Sequence, residues 1–461
     1  MAEQQTGVIL ESGPSDWQIL QQDSKGFGLA ALAGRWVGEA GGRVEVRAVW
    51  EATGVAVSRD TDWQAADTLS DGSWQSVLRI PAGGLYRLET RYRPKAQTAG
   101  EWSPRGDMRH FLGVGDLWVI AGQSNSAGYG RGPVQDPPEL GVHLLRNCDQ
   151  WMLAAHPMNE STDTRHICNR EAANSGHSPY LQFARLLQAH RHYPIGLIQT
   201  SLGGSPLSAW NPTQPGDPVL FTNMLQTVQK VGGKVRGVLW YQGESDAGGE
   251  NAVTYADRFV KAVQAWRDKT GIPDLMVVTV QLNRVLQPAN PDGDKGWSQV
   301  REAQRQVPRR LAGVVVVPSL DLPLSDAIHT SPAGNMLLGE RMARAALGGL
   351  YGEPVDWQAP EIQSAQRAGG GREIELRFAP VTSRMDTVDA VRHSFRVEDE
   401  AGLVPVEKAL FPQDARVKLL LARSLQGRTT VHGAYGLDPA TVPMDMERFL
   451  PMLGFYGVPV G

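Results

Sequence analysis

Four short polar segments carry residue types that could do chemistry: Gly122-Gln-Ser-Asn125, Gly203-Gly-Ser205, Gln242-Gly-Glu-Ser-Asp246 and Asp326-Ala-Ile-His329. Together they hold the parts of an acyl-transfer site. Ser124 is the candidate nucleophile and His329 the base that takes its proton. Asp326 is the group that would fix the imidazole tautomer and stabilise its cation. A spacing of three residues lets Asp326 and His329 share one turn. Backbone N–H groups at Ser124 and at Gly203 or Gly204 could face a developing oxyanion, and Gln242 could add a side-chain donor. Such donors are worth ~3–4 kcal/mol each by mutagenesis. Taken singly, Ser124 and Gly203-Gly204 read as turn residues and Asp326-x-x-His329 as a helix cap. The signal lies in the conjunction.

That conjunction needs a scaffold, and the residues before each segment supply it. Five short apolar runs, Leu117–Ala121, Ile195–Gln199, Gly237–Tyr241, Leu275–Val280 and Gly313–Val317, are mostly rich in Val and Ile, as strands buried on both faces should be. Helical patterns lie between them. In Thr254–Arg267 the residues Tyr255, Phe259, Val263 and Trp266 recur on one face. Pro179–Ala189 and Asp217–Lys230 look similar, and Ser331-Pro332 reads as N-cap and first position of a helix to about Leu347. Strand and helix alternating five times predict a parallel sheet with helices on both faces. Its strands would deliver all four segments to one carboxyl edge, where such sheets bind ligands.

These blocks, with Trp240-Tyr-Gln-Gly-Glu-Ser-Asp246 as the third, resemble the motif blocks of the sialate O-acetylesterase-like carbohydrate esterases of the SGNH (GDSL-type) hydrolase superfamily. The resemblance covers roughly residues 113–350. It implies a flavodoxin-like (SGNH hydrolase) catalytic sheet and removal of acetyl groups from sugar hydroxyls, on sialic acids or plant cell-wall polysaccharides, without a metal or other cofactor. It implies Ser124 as nucleophile, Asp326 and His329 as the rest of a triad, and Gly203 and Gln242 in the oxyanion hole. The third block departs from the broader superfamily, which usually carries an Asn donor there. Aligning the glycines puts Ser245 at that position, whereas Gln242 has the amide chemistry. Glu244, acceptor-only when ionised, is expected to orient a neighbour. Gln123, Asn125, Gly204, Trp210 and the loop 131–178 are expected to line or support the substrate site.

The flanks differ in pattern. Residues 1–112 alternate apolar and polar (Val44, Val46, Ala48, Trp50; Tyr86, Leu88, Thr90, Tyr92), which predicts an N-terminal β-sandwich or jelly roll before the catalytic domain 113–352. Six of the 13 tryptophans fall there: Trp17, Trp36, Trp50, Trp63, Trp74 and Trp102. They read as core more readily than as sugar-stacking platforms. Alternation returns after Gly352 (Ile374, Leu376, Phe378; Val417, Leu419, Leu421), predicting a β-rich C-terminal domain, 353–461.

Length bounds the chain to two or three domains: 461 residues exceed what one core usually supports. With 41% apolar and 20% charged residues, a net charge of −4 and no basic block, nothing points to nucleic acid or an anionic membrane as partner. No apolar run reaches transmembrane length. The start, Met1-Ala-Glu-Gln-Gln-Thr6, carries neither a basic n-region nor an apolar h-region, so no signal peptide is read there. The compartment stays open, as does the oligomeric state. Cys148 and Cys168 read as free thiols, with a loop-closing disulfide as the alternative, and no segment has metal-ligand spacing. An α/β-hydrolase would need a G-x-S-x-G elbow, which is absent. Gly128-x-Gly130-x-Gly132 misses the dinucleotide spacing. A non-catalytic carbohydrate-binding protein and a general small-acyl esterase remain as rival readings.

Overall fold

The strand that carries Ser124 belongs to two hydrophobic cores at once. In the computed structural model, which describes residues 7–96, 101–172, 175–288, 290–388 and 392–461, it runs unbroken as β1 (Arg105–Gly122). Its first part pairs antiparallel with Gly83–Arg93, from Arg105 to Val114. From Asp116 it pairs with a parallel strand on one side, and from Trp118 with parallel strands on both. The opening residues Met1–Thr6, read above for a leader, lie outside the described residues.

The catalytic sheet continues with β2 (Val142–Leu145), β3 (Trp151–Leu153), β4 (Ile195–Gln199), β5 (Gly237–Tyr241), β6 (Met276–Val280) and β7 (Val314–Val317). Its spatial order is β3-β2-β4-β1-β5-β6-β7, parallel except for β3 at one edge. The five expected runs are all strands in this sheet. From β1 the chain runs out to β2 and the edge strand β3, returns to β4 beside β1, and then crosses to β5 on the other side of β1. The crevice therefore opens at the carboxyl ends of β4, β1 and β5.

The five longest helices among the described residues accompany the sheet: α1 (Tyr180–Arg191), α2 (Val219–Lys230), α3 (Tyr255–Thr270), α4 (Pro291–Arg310) and α5 (Pro332–Ala345). Helix α1 packs on α5, and α3 packs on both α2 and α4. The expected N-cap is real, with Ser331 Oγ accepting from Gly334 N at 3.2 Å. Two features depart from the sequence reading. Strands β2 and β3 lie inside the stretch taken as loop, because runs of four and three residues are too short to show a period. Helix α4 begins in Pro-Asp-Gly-Asp-Lys-Gly and buries Arg301, Gln304 and Arg305 where a periodic pattern would show apolar residues.

Buried Arg301 ties the catalytic sheet to the C-terminal strands. Its guanidinium donates to the carbonyls of Leu282 and Asn283 after β6, and to those of Ala434 and Gly436 beyond. A tie continues to the site: Val285 N donates to Leu437 O at 2.9 Å, and Leu286 N to Ala327 O at 2.7 Å.

Among the described residues the three largest hydrophobic cores are separate in space. The largest fills the parallel sheet and its helices, including fully buried Trp118, Trp210, Trp240 and Trp266. The second lies among the N-terminal strands and includes Trp74. The third lies among the C-terminal strands, with Ile374, Leu376, Val417 and Leu419 at zero exposure. The six N-terminal tryptophans share no common platform. Trp74 is core, Trp63 lies under the guanidinium groups of Arg47, Arg91 and Arg105, and Trp17 stacks on Phe111 at 4.2 Å. Cys148 and Cys168 are unbonded. Among the described residues no helix is long and apolar enough to cross a membrane.

Candidate active site

Strand β1 ends at Gly122, whose φ of +127° is one that side-chain-bearing residues rarely adopt. A Cβ there would also lie 2.2 Å from the Tyr241 carbonyl oxygen. The chain turns into a four-residue helix, Ser124–Ala127, that starts with Ser124. Ser126 Oγ, 2.8 Å from the Ala121 carbonyl and 2.6 Å from the Tyr180 hydroxyl, locks the turn from below. Gln123 is buried and faces the third block, its Oε1 accepting from Ser245 N at 3.1 Å and Gly243 N at 3.4 Å. Neither Gln123 nor Trp210 is a substrate-facing group. Trp210 is fully buried, donates to Ser205 Oγ and packs edge-on against Trp240, so of the two expected roles it can only support the glycine block from within the core.

The loop after β7 brings Asp326 and His329 together. Asp326 Oδ2 lies 2.7 Å from His329 Nδ1, and Oδ1 accepts from the N–H groups of Ile328 and His329 at 2.9 and 2.8 Å. Partial burial opposes ionisation of Asp326, but the hydrogen bonds from the His329 ring and from those two N–H groups outweigh it and hold the carboxyl below its ordinary range. An ionised carboxylate only accepts, so Nδ1 carries the imidazole proton. Nε2 is left with a lone pair, the form a general base requires.

Asn125 fastens this loop to the serine turn. Its Oδ1 accepts from Thr330 N at 3.0 Å, and its Nδ2 donates to Glu244 Oε1 at 2.8 Å and reaches Ile328 O at 3.4 Å. Glu244 is thus the acceptor that holds the Asn125 amide. The His329 ring also stacks on Tyr129, with centroids 5.0 Å apart and planes 30° apart. Ser124 Oγ and His329 make no direct hydrogen bond; such catalytic contacts commonly tighten only when substrate binds.

The oxyanion assignments need correction. Gln242 is fully buried, its Nε2 donating to Asp246 Oδ2 at 2.7 Å and Ser205 O at 3.3 Å, and its Oε1 accepting from the Tyr255 hydroxyl at 2.8 Å. Every part of the amide is engaged in the core, leaving no donor for a ligand. Gly203 N–H is also taken, by Glu171 Oε1 at 2.7 Å. Among the described residues, the N–H groups of Ser124 and Gly204 have no hydrogen-bond partner. Gly204 has φ +69°, and its carbonyl accepts from Ser245 Oγ at 3.0 Å.

Glu244 gives the site a pH-dependent stability. Its Oε2 is buried without a partner, and burial pushes its pKa up to about 7, with the Asn125 bond only partly opposing this. A folded-state value above the unfolded one means that the stability it contributes is full below about pH 4.5 and lost as pH rises through about 7. Glu244→Gln keeps the acceptor for Asn125 and removes the charge. Its melting temperature is expected to rise relative to wild type between pH 5 and 8, by a difference worth up to about 3 kcal/mol. Thermal melts at the two pH values check this, and a gap that does not widen with pH would contradict it.

Loop 131–178 takes part in two groupings, one of them with Tyr129 just before it, that local motif spacing could not reveal. One is Glu171 with Tyr129 and Asn159. The other is Asp136, His156 and His177, whose ligand-type atoms lie within 4.8 Å of one another and invite a metal test. The donor set fits a hydrogen-bonded charge cluster better. Both Nε2 atoms contact Asp136 Oδ2, at 2.9 and 3.1 Å, while Arg185 pairs with Oδ1. The Nδ1 atoms of both histidines are buried without partners, whereas a ligating histidine normally donates from that nitrogen.

Two clefts bear on access. The larger, about 690 Å³, is lined by Trp50, Phe111, Gly141, Tyr193 and Pro194. Gly141 and Pro194 immediately precede β2 and β4, so this cleft lies at the sheet end opposite Ser124. The other, about 330 Å³, is lined by Gly130, Arg131, Asp136, His156 and His177 and begins one residue beyond Tyr129.

With this geometry in hand, comparison with known proteins is specific. Residues 114–348, just over half the chain, match the family model described as carbohydrate esterase, sialic acid-specific acetylesterase. A probable carbohydrate esterase of Arabidopsis thaliana is 28% identical over 274 residues, which cover 54% of this chain and 96% of that protein. Human sialate O-acetylesterase is 32% identical over 208 residues, 34% of this chain and 36% of that one. The solved structure of a carbohydrate acetylesterase from Xanthomonas citri superposes with a TM-score of 0.67 at 22% identity, covering 96% of this chain and 97% of the other. The resemblance in fold thus extends through both flanking regions.

Proposed function

The chain belongs to the sialic acid-specific acetylesterase family of carbohydrate esterases, and from that premise we propose that it removes acetyl groups from sugar hydroxyls, on sialic acids or plant cell-wall glycans, through a covalent intermediate on Ser124. The observation that carries this reading is the 2.7 Å contact of Asp326 with His329 Nδ1, in a loop that Asn125 binds to the serine turn. His329 Nε2 takes the Ser124 proton as Oγ attacks the acetyl carbonyl. The N–H groups of Ser124 and Gly204 receive the oxyanion. His329 then passes its proton to the departing sugar oxygen, leaving acetyl-Ser124. Water repeats the sequence in reverse roles and releases acetate. No metal enters these steps. The flanking strands are read as two β-sandwich domains, 1–112 and 353–461, around the catalytic domain 113–352.

The test pairs a chemical probe with a substrate panel. A serine-directed phosphonate should add its mass to one peptide, the one containing Ser124. Acetate should be released from acetylated sialic acids or acetylated xylo-oligosaccharides. Labelling of a different serine would remove Ser124 from the mechanism. Turnover of p-nitrophenyl acetate with none of any acetylated sugar would favour a general small-acyl esterase.

A further inference from the structure

We infer that Glu171 is a positioning residue that aligns both halves of the catalytic apparatus, an inference that rests on the esterase reading above. Its side chain comes from the loop between β3 and α1 and is buried, 7% exposed. The carboxylate accepts three hydrogen bonds: from Gly203 N at 2.7 Å, from the Tyr129 hydroxyl at 2.8 Å and from Asn159 Nδ2 at 3.0 Å. Its own N–H is held by Ser161 Oγ at 3.1 Å. A carboxylate placed this deep is tolerated because these donors satisfy it, and charge-assisted bonds of this kind are the strong ones.

The first consequence falls on the oxyanion loop. Glu171 fixes the N–H of Gly203, and Ser245 Oγ fixes the carbonyl of Gly204. The Gly204 N–H lies between these two anchors and has no partner of its own. Clamped on both sides, it is oriented before substrate arrives, which is how a donor stabilises a developing charge at no cost in reorganisation. The glycine at 203 follows from the same contact. A Cβ there would stand 3.0 Å from Glu171 Oε2 and 3.3 Å from the Tyr129 hydroxyl, so close approach of the carboxylate accounts for it.

The second consequence falls on the base. Tyr129 stacks on the His329 ring and is anchored through its hydroxyl to Glu171. Burial, reinforced by that carboxylate, pushes the Tyr129 pKa up to about 12, so the phenol stays protonated and keeps donating. Asp326 sets the tautomer of His329 and the tilt of its Nδ1 edge, while Tyr129 sets the plane of the ring.

A residue acting this way supports the transition state more than the bound substrate, so its loss should appear in kcat and leave KM nearly alone. Glu171→Ala, Glu171→Gln and Tyr129→Phe should be compared with wild type on one acetylated sugar, with kcat expressed per phosphonate-titratable site so that unfolded molecules are not counted. Glu171→Ala should lose about 10–100-fold in kcat, the scale of an ångström-level misplacement, with KM within about threefold. Glu171→Gln keeps an acceptor for Gly203 N–H and should recover most of the loss. Tyr129→Phe keeps the ring without its anchor and should fall between. Normal kcat per site in Glu171→Ala, a change confined to KM, or no recovery in Glu171→Gln would each overturn the inference. Absence of ester turnover in the wild type would instead sink the esterase reading on which it rests.

Discussion

Alanine at Ser124 is expected to lower kcat on acetyl esters by about 10³-fold or more, alanine at His329 by a similar factor, and the double variant to be little worse than either. The two side chains share one step: Oγ forms the bond to the acyl carbon while Nε2 takes the proton that Oγ releases. Removing either abolishes that step, so the second removal takes away nothing more. What remains in all three variants is binding plus the N–H groups of Ser124 and Gly204, which are backbone and survive substitution. Steady-state kinetics on an acetylated sugar, with folding verified by thermal melts, decides the matter. Losses that multiply in the double variant would mean that Ser124 and His329 act in different steps, and the covalent reading would have to be given up.

Asp326→Ala should cost less, about 10–10³-fold in kcat, because Asp326 touches the base and not the reacting atoms. The structure argues for the lower part of that range. The Asp326 side chain is 46% exposed, so water can take its place at Nδ1. Three further contacts hold the loop or the ring without it: Asn125 to Thr330, Tyr129 against the imidazole and Leu286 N to Ala327 O. Against this, Asp326 Oδ1 also gathers the N–H groups of Ile328 and His329, so its loss loosens the turn itself. Asp326→Asn keeps an oxygen for one of these roles and should be milder than Asp326→Ala. An Asp326→Ala loss as large as that of His329→Ala would show that the carboxylate does more than orient.

Much of this site could be read along the chain because its elements are ordered by strong local signals. Val/Ile runs identified the five strands, the 3.6-residue period found α3, and Ser331-Pro332 marked the start of α5. Asp326 and His329 were legible since three residues separate them and a single turn joins them. The errors have a common cause, which is that residue type says what a group can do and not where it points. Gln242 offers an amide suited to an oxyanion, yet at the end of β5 it faces inward to Asp246 and Tyr255. Gly203 carries an N–H at the right edge of the sheet, but Glu171, 32 residues earlier, has claimed it. Nothing in the spacing of Glu171 announces that partnership, which exists only because β4 brings the Thr200–Ser205 turn alongside loop 131–178. Helix α4 was hidden for a different reason. Arg301 and Gln304 spend their polarity on backbone carbonyls inside the molecule, so a buried face reads as a hydrophilic one.

The continuity of β1 bears on how such a protein can be inherited and cut. The hydropathy pattern changes near Gly113, and a gene fragment begun there would look like a tidy module. It would divide one polypeptide ribbon whose early residues, among them Leu112, belong to one core and whose later ones, from Leu117, belong to another. Recombination at that point would part Gly113 and Val114 from their partners Gly84 and Gly83 and from Ile19 and Leu20, and would leave the recipient with an unsupported lead-in to the nucleophile. Shuffling of the front region is therefore disfavoured at the place where the sequence most invites it. A junction before Arg105 would keep the ribbon whole with Ser124 but take from Gly83–Arg93 its partner strand, so the front region and the nucleophile strand form one heritable unit.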